Sequence, residues 1–319
     1  MTGRPDGRGR YRFVLYRPLQ FLPVLLGISV VTFVLVRLIP GDPARVLLGA
    51  RASPGAIAAI RAQYGLDEPI WAQYLYFLKN LAHGEMGRSI LYKVDVLGLV
   101  ASRIEPTLAL VVSSVALSIL IAVPMAAVAA RHRGRAADHA VRLVSTLGIG
   151  FPPFWLALML IILFSVRLGV FPVSGYGETI GEKAAHLALP SLTVALSLSA
   201  VLTRSLRAAM VQGLASDVAT AARARGMPEG IVFWRHVMPN AVVPTINLLA
   251  VNIGWLIGGT VVVESVFALP GMGQLLVRAI FTRDYMVVQG VALVFACATV
   301  LVNFLADILT VAADPRVKL

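Results

Sequence analysis

The stretch Asp217-Val218-Ala219-Thr220-Ala221-Ala222-Arg223-Ala224-Arg225-Gly226, continued by Met227-Pro228 and ending in His236-Val237-Met238-Pro239-Asn240-Ala241, is the most informative in the chain. Its first part favours a short helix: Asp217 can cap it, alanines fill it and Gly226 can stop it. Pro228 can open a second helical stretch, and Pro239 ends that stretch. The spacing predicts a helix–turn–helix elbow from Asp217 to Pro239, inside a segment 204–240 that joins two uncharged apolar runs, Leu187–Thr203 and Ala241–Val263.

Those two runs have counterparts along the whole chain. A bilayer core of about 30 Å needs about 20 apolar residues of helix, and Pro18–Leu38, Pro106–Ala130, Leu143–Val166 and Met286–Ala306 also qualify. Five of the six contain no Asp, Glu, Lys or Arg, and the first has only Arg37 at its far end. Of the 319 residues 58% are hydrophobic and 14% charged, against about 45–50% and about 25% in a soluble domain. Such a chain cannot cover a water-facing surface. The expected fold is all-α and polytopic, with six transmembrane helices and both termini on one side.

The net charge of +12 first raises nucleic acid as a partner. Its distribution points elsewhere. Arg4, Arg8, Arg10, Arg12 and Arg17 precede span one, and Arg131, Arg133, Arg135 and Arg142 lie between spans two and three. Arg204, Arg207, Arg223, Arg225 and Arg235 lie between spans four and five, and Arg316 and Lys318 end the chain. The two short opposite loops hold only Arg167 with Lys183, and Arg278 with Arg283. The positive-inside rule therefore puts both termini in the cytoplasm, and the charge becomes an orientation signal. Span one has an Arg-rich start but exceeds a signal-peptide core and lacks a clear cleavage site, so it is expected to stay as an anchor. The single Cys297 excludes an intrachain disulfide framework.

This gives an organisation of a cytoplasmic segment 1–17, a first span 18–38, an external helical subdomain 39–105 and a membrane core 106–319. In the subdomain, Ser53-Pro54 and Gly65 bracket one helix, and a second opens at Asp67-Glu68-Pro69 and ends near His83-Gly84. The second carries Trp71, Tyr74, Tyr76 and Phe77, which read either as a packing cluster at headgroup level or as a docking surface for an external partner. Pro124 in span two, Gly148, Gly150, Pro152 and Pro153 in span three, and Gly254, Gly258 and Gly259 in span five interrupt the helices or let them pack closely. Asn247, Asn252 and Asn303 are candidates for path lining or for interhelical hydrogen bonds. Glu264 and Asp307, at span ends, are candidates for a gate or for structural pairing.

Enzyme signatures are missing. There is no G-x-x-x-x-G-K-[ST] phosphate loop, no H-E-x-x-H and no G-x-S-x-G. His83, His132, His139, His186 and His236 form no ligand pair, and no metal site is expected.

The spacing of Ala221-Ala222, Gly226, His236 and Pro239 resembles the EAA loop of binding-protein-dependent ABC importer permeases. Further stretches narrow the resemblance to the dipeptide/oligopeptide/nickel group, from about residue 12 to the C-terminus. They are Ile39-Pro40-Gly41-Asp42-Pro43, Tyr64-Gly65-Leu66-Asp67-Glu68-Pro69, His83-Gly84-Glu85-Met86-Gly87-Arg88-Ser89 and Leu189-Pro190-Ser191-Leu192-Thr193. Glu264-Ser265-Val266-Phe267 with Pro270-Gly271-Met272-Gly273-Gln274-Leu275-Leu276, then Arg283-Asp284-Tyr285, Gln289-Gly290 and Asp314-Pro315-Arg316, complete the set. One departure stands out: Thr220 occupies the loop's nominal Glu position, with Asp217 the nearest acid.

The resemblance implies a bacterial inner-membrane permease subunit of an importer for di- or oligopeptides, nickel or a related small solute. It implies a second, homologous permease completing the path, an external binding protein, and two cytoplasmic ATPases that bind the ATP and Mg this chain does not. It makes Asp217, Thr220, Ala221, Ala222, Arg223, Arg225, Gly226, His236 and Pro239 the coupling loop, with His236 expected to pack rather than react. The alternative is an ATP-independent secondary transporter or channel, which should show an internal repeat and buried charges; neither is visible in the sequence.

Overall fold

The computed structural model describes residues 22–34, 53–63, 66–89 and 91–313. The basic N-terminal segment, Ile39-Pro40-Gly41-Asp42-Pro43, Tyr64-Gly65 and Asp314-Pro315-Arg316 lie outside the described residues. Among those described, every regular element is helical apart from one bridge pairing Arg88 with Asp95. The helices are α1 (Leu22–Val34), α2 (Pro54–Gln63), α3 (Ile70–Ala82), α4 (Val96–Arg131), α5 (Ala136–Gly150) and α6 (Pro153–Arg167). They continue with α7 (Ile180–Leu214), α8 (Asp217–Ala224), α9 (Glu229–Val266), α10 (Met272–Phe281) and α11 (Tyr285–Ala313).

Four of these, α4, α7, α9 and α11, are long and apolar enough to cross a membrane, and α5 with α6 makes a fifth if the pair is one span. The described part of span one, α1, is shorter. The long helices overrun the apolar segments that mark them. α4 begins at Val96 rather than Pro106, because Ser102, Arg103 and Glu105 interrupt the apolar run without ending the helix. Span three is not straight: α5 and α6 meet at 103°. Phe151 and Pro152 are extended at the break (ψ 128° and 135°). Consecutive prolines withhold two amide donors there, and the residue before a proline is driven out of helical geometry.

The described residues form two compact units. One comprises the described parts of Met1–Glu105 with Leu275–Cys297. In it α3 lays aromatic rings on α1: Phe33 is 5.1 Å from Tyr74 and 5.7 Å from Phe77, and the Ser29 and Tyr74 hydroxyls share a 2.7 Å hydrogen bond. Two of the quoted sequence stretches also meet here. The buried Asp284 carboxylate accepts from the Ser89 hydroxyl (2.5 Å) and the Leu91 amide (3.1 Å). Gly290 sits so close to Val96 that a side chain there would overlap it.

The other unit comprises Pro106–Gln274 with the described part of Ala298–Leu319. Its centre is α7, which packs along α9, α5 and α6. One apolar cluster joins Ala122, Ala126 and Ala130 of α4 to Leu202, Leu206 and Met210 of α7, and takes in α8 and the start of α9. Small residues on α4 let the backbones approach, so packing contacts rather than side-chain bulk hold this region.

Candidate functional site

The elbow is built from local signals. Ser216 is the cap of α8, its Oγ accepting the Ala219 amide at 3.3 Å, so Asp217 takes the first helical position instead of the cap expected for it. There its charge still suits the positive helix end. At the other end Gly226 has φ +78°, with its amide on the Arg223 carbonyl (2.8 Å) and the Met227 amide on the Ala222 carbonyl (3.3 Å). This pair of bonds closes a helix through a left-handed residue that favours glycine.

α8 turns Ala219 and Ala222 into the apolar cluster and leaves Asp217, Thr220, Ala221, Arg225 and Gly226 exposed. Ala219, not Ala221, is thus the inward partner of Ala222, as three-residue helical spacing requires. Thr220, at the nominal acid position, bonds back to the Ser216 carbonyl at 3.1 Å and points to solvent. Arg223 ties the elbow together: its guanidinium donates to Glu229 (2.7 Å) and to the Leu214 carbonyl (2.9 Å) at the end of α7. The hydrogen bond to Glu229 raises the Arg223 pKa above its ordinary value, so it stays a cation.

Pro239 does not end the second stretch. α9 runs unbroken from Glu229 to Val266, with a wide π-helical turn over Val232–Val237 just before the proline. A wide turn accommodates the missing amide without a break. The elbow is therefore continuous with a membrane-length helix. Within the turn Val232, Phe233 and Val237 are buried, and Arg131 lies 5.1 Å over the Phe233 ring. His236 is half-buried, with its Nε2 enclosed and unpartnered, and its carbonyl accepts from Asn240 at 2.7 Å.

A second constellation surrounds Glu264, which is 0% exposed. Its carboxylate accepts from the Thr107 hydroxyl of α4 (2.8 Å) and from the Gln274 amide (3.0 Å). Thr107 Oγ1 also accepts the Met272 amide at 2.8 Å. Glu264 and Thr107 thus cap the start of α10 from two other helices, supplying acceptors for amides that have no partner within the helix. A Cβ on Gly271 would overlap the carboxylate, and one on Gly273 would strike the Val261 backbone. The glycines of Pro270-Gly271-Met272-Gly273 make room for Glu264. Of the two roles open to Glu264 in the sequence, the geometry matches the structural pairing.

The remaining path candidates separate. Asn303 lines a groove of about 420 Å³ with Val251, Gly254, Trp255, Gly258 and Thr299, and Trp255 is 79% exposed. Asn247 instead accepts from Thr310 at 2.7 Å, joining α9 to α11, and Asn252 donates to the Leu248 carbonyl of its own helix at 2.7 Å. Asp307 is half-buried on α11 and does not line the groove. Of the aromatic candidates, Tyr74 and Phe77 pack on Phe33 while Trp71 is 69% exposed. No group of three or more His, Cys, Asp or Glu that could hold a metal occurs among the described residues.

Two further polar residues were not singled out from the sequence. Asp138 of α5 is buried and receives both Nε (2.5 Å) and Nη2 (2.6 Å) of Arg207 on α7. The available signal was that Asp138 is the one acid in the basic segment Arg131–Arg142.

The family model described as binding-protein-dependent transport system inner membrane component matches residues 119–319, and the model of its N-terminal region matches 10–122. The glutathione transport system permease protein GsiC of Escherichia coli K12 is 36% identical over 306 residues, covering 96% of this chain and 98% of that protein. The Shigella dysenteriae protein of the same name matches to the same extent. Among solved structures, an inward-facing MetNI methionine ABC transporter aligns with a TM-score of 0.58 at 17% identity, over 68% of this chain and 96% of that one. An amino acid ABC transporter with histidines aligns at 0.53 and 17%, over 67% and 93%. Both likenesses concern the fold.

Proposed function

We propose, from the premise that the chain belongs to the family of binding-protein-dependent transport system inner membrane components, that it forms half of the translocation path of an ATP-driven importer for small peptides. It is a multi-pass inner-membrane permease, a transport component rather than a catalytic one. A second, homologous permease completes the path, an external binding protein delivers the solute, and two cytoplasmic ATPases hold the ATP and Mg. The termini and the elbow face the cytoplasm, and residues 39–105 face outward with Trp71 as the exposed docking candidate. The glutathione permease relative makes a peptide of glutathione size the first cargo to test.

The observation that carries this reading is the elbow. α8 is capped at both ends, exposes Asp217, Thr220, Ala221 and Arg225, and is clamped between α7 and a helix that continues into the membrane. An ATPase pressing on that surface moves two long helices directly. The groove at Asn303, Trp255 and Gly258 is the part of the path this chain contributes. The test is reconstitution in liposomes with the co-purified ATPases, second permease and binding protein. ATP-dependent uptake of labelled glutathione or a short peptide is expected. Uptake by the purified chain alone, without ATP, overturns the reading.

A further inference from the structure

We infer that α5 and α7 act as one strut, keyed by the Asp138–Arg207 pair, which carries movement of the elbow to the bend at Phe151-Pro152. This rests on the coupling role proposed for the elbow and adds the residues that deliver its motion.

Asp138 is 1% exposed, and its carboxylate accepts two guanidinium N–H bonds from Arg207 and the Gly134 amide at 3.0 Å. Two parallel bonds between planar groups fix orientation as well as distance. An ion pair whose carboxylate is buried and whose guanidinium is half-buried adds little net stability, because desolvation offsets the attraction, but breaking it strands the buried charge. Its consequence is therefore register. Sliding α5 along α7 by one turn, about 5.4 Å, would leave a carboxylate buried without its cation.

The other end of α5 is held by close packing. A Cβ built on Gly148 lies 3.1 Å from the Ala200 Cβ and 3.5 Å from the Leu196 carbonyl. One helix pair is thus locked by charge near its start and by backbone proximity near its finish. α7 then runs from Arg207 to Leu214, where the elbow attaches: Arg223 donates to the Leu214 carbonyl and Ser216 Oγ to the Gly213 carbonyl (2.7 Å). From Gly148 it is two residues to the end of α5 and the bend. Force at the elbow meets no slip plane before that bend. Asp138 and Arg207 are positioning residues in this device.

The experiment uses the complete importer with Cys297→Ser, Gly148→Cys and Ala200→Cys. The built Cβ–Cβ separation is a few tenths of an ångström short of the usual disulfide range of about 3.5–4.5 Å, so oxidation should cross-link the pair. Uptake per ATP hydrolysed should stay within about twofold of the reduced protein, whereas helices that shear during transport would be arrested. Asp138→Asn alone should lower uptake per ATP about tenfold while ATP hydrolysis continues, and the cross-link should restore it. Arrest by the cross-link, or full uptake with Asp138→Asn, refutes the strut. If Asp138→Asn does not assemble, the cross-link in the Asp138 background decides alone. Absence of ATP-driven uptake in the complex without these substitutions refutes the importer reading instead.

Discussion

The elbow and the Glu264 knot are both polar constructions beside long apolar helices, yet they are assembled in opposite ways. The elbow closes on itself: its cap, its glycine stop and its Arg223–Glu229 pair all lie within Ser216–Glu229. The knot joins residues 157 positions apart, Thr107 and Glu264, around a helix start that neither belongs to. Local closure leaves a surface that can be pressed without loosening the interior. Long-range closure makes a fixed point, because Glu264, Thr107 and Met272 are buried and each depends on the others. Under the proposed coupling role, the difference separates a part that moves from a part that anchors.

The largest effect should come from Glu264→Ala. It strands the Gln274 amide and the Thr107 hydroxyl, at about 1–3 kcal/mol for each unsatisfied group. Thermal unfolding in detergent should register a loss of about 3 kcal/mol or more, together with loss of complex on size exclusion. A well-assembled Glu264→Ala complex with only a transport defect would reverse the assignment and make Glu264 a gate.

Gly226→Val tests the part proposed to move. Nothing lies within 4 Å of a Cβ there, so the penalty is backbone strain alone, about 1–2 kcal/mol for a left-handed residue. Uptake per ATP should fall severalfold with assembly preserved. Gly226→Asn should be milder, since asparagine tolerates this conformation. Equal loss with both would point to a steric contact with the ATPase rather than to the turn.

Ser216→Ala removes the cap, worth about 1 kcal/mol. Hydrogen exchange at Asp217–Ala219 should accelerate while the rest of the unit stays protected. The smallest effect belongs to Thr220→Glu. The position is exposed, and surface changes of this kind stay within about 0.5 kcal/mol. Melting should not change, so any shift in ATPase affinity reports on the docking face directly.

The same contrast explains what the sequence disclosed. The helical class, the apolar runs and the interruption of span three rest on composition and on proline chemistry, both local, and were legible. So was the elbow, although the cap moved by one residue because Ser216 and Asp217 are both competent. Pro239 reads locally as a terminator, but the helix continues through a wide turn that depends on the buried packing of Val232, Phe233 and Val237. Glu264 could be suspected as an acid at a span end, but Thr107 is one hydroxyl among many along its helix. The stretches around Ser89 and Asp284 stood out only through resemblance, and their 2.5 Å contact gives the physical reason they are paired. Asp138 carries a weak signal, and its partner Arg207 is one of several arginines whose shared side already accounts for them.

The wide turn at Val232–Val237 has an evolutionary corollary. In an α-helix each residue advances the face by about 100°, so a segment that already tolerates looser winding can take up an added or lost residue. A deletion there, converting the turn to ordinary winding, would leave Trp255, Gly258 and every later side chain of α9 facing nearly as before, whereas the same deletion in an ordinary stretch would re-aim them by about that angle. Length can therefore vary between the elbow and the later part of α9 without re-aiming the side chains that line the groove.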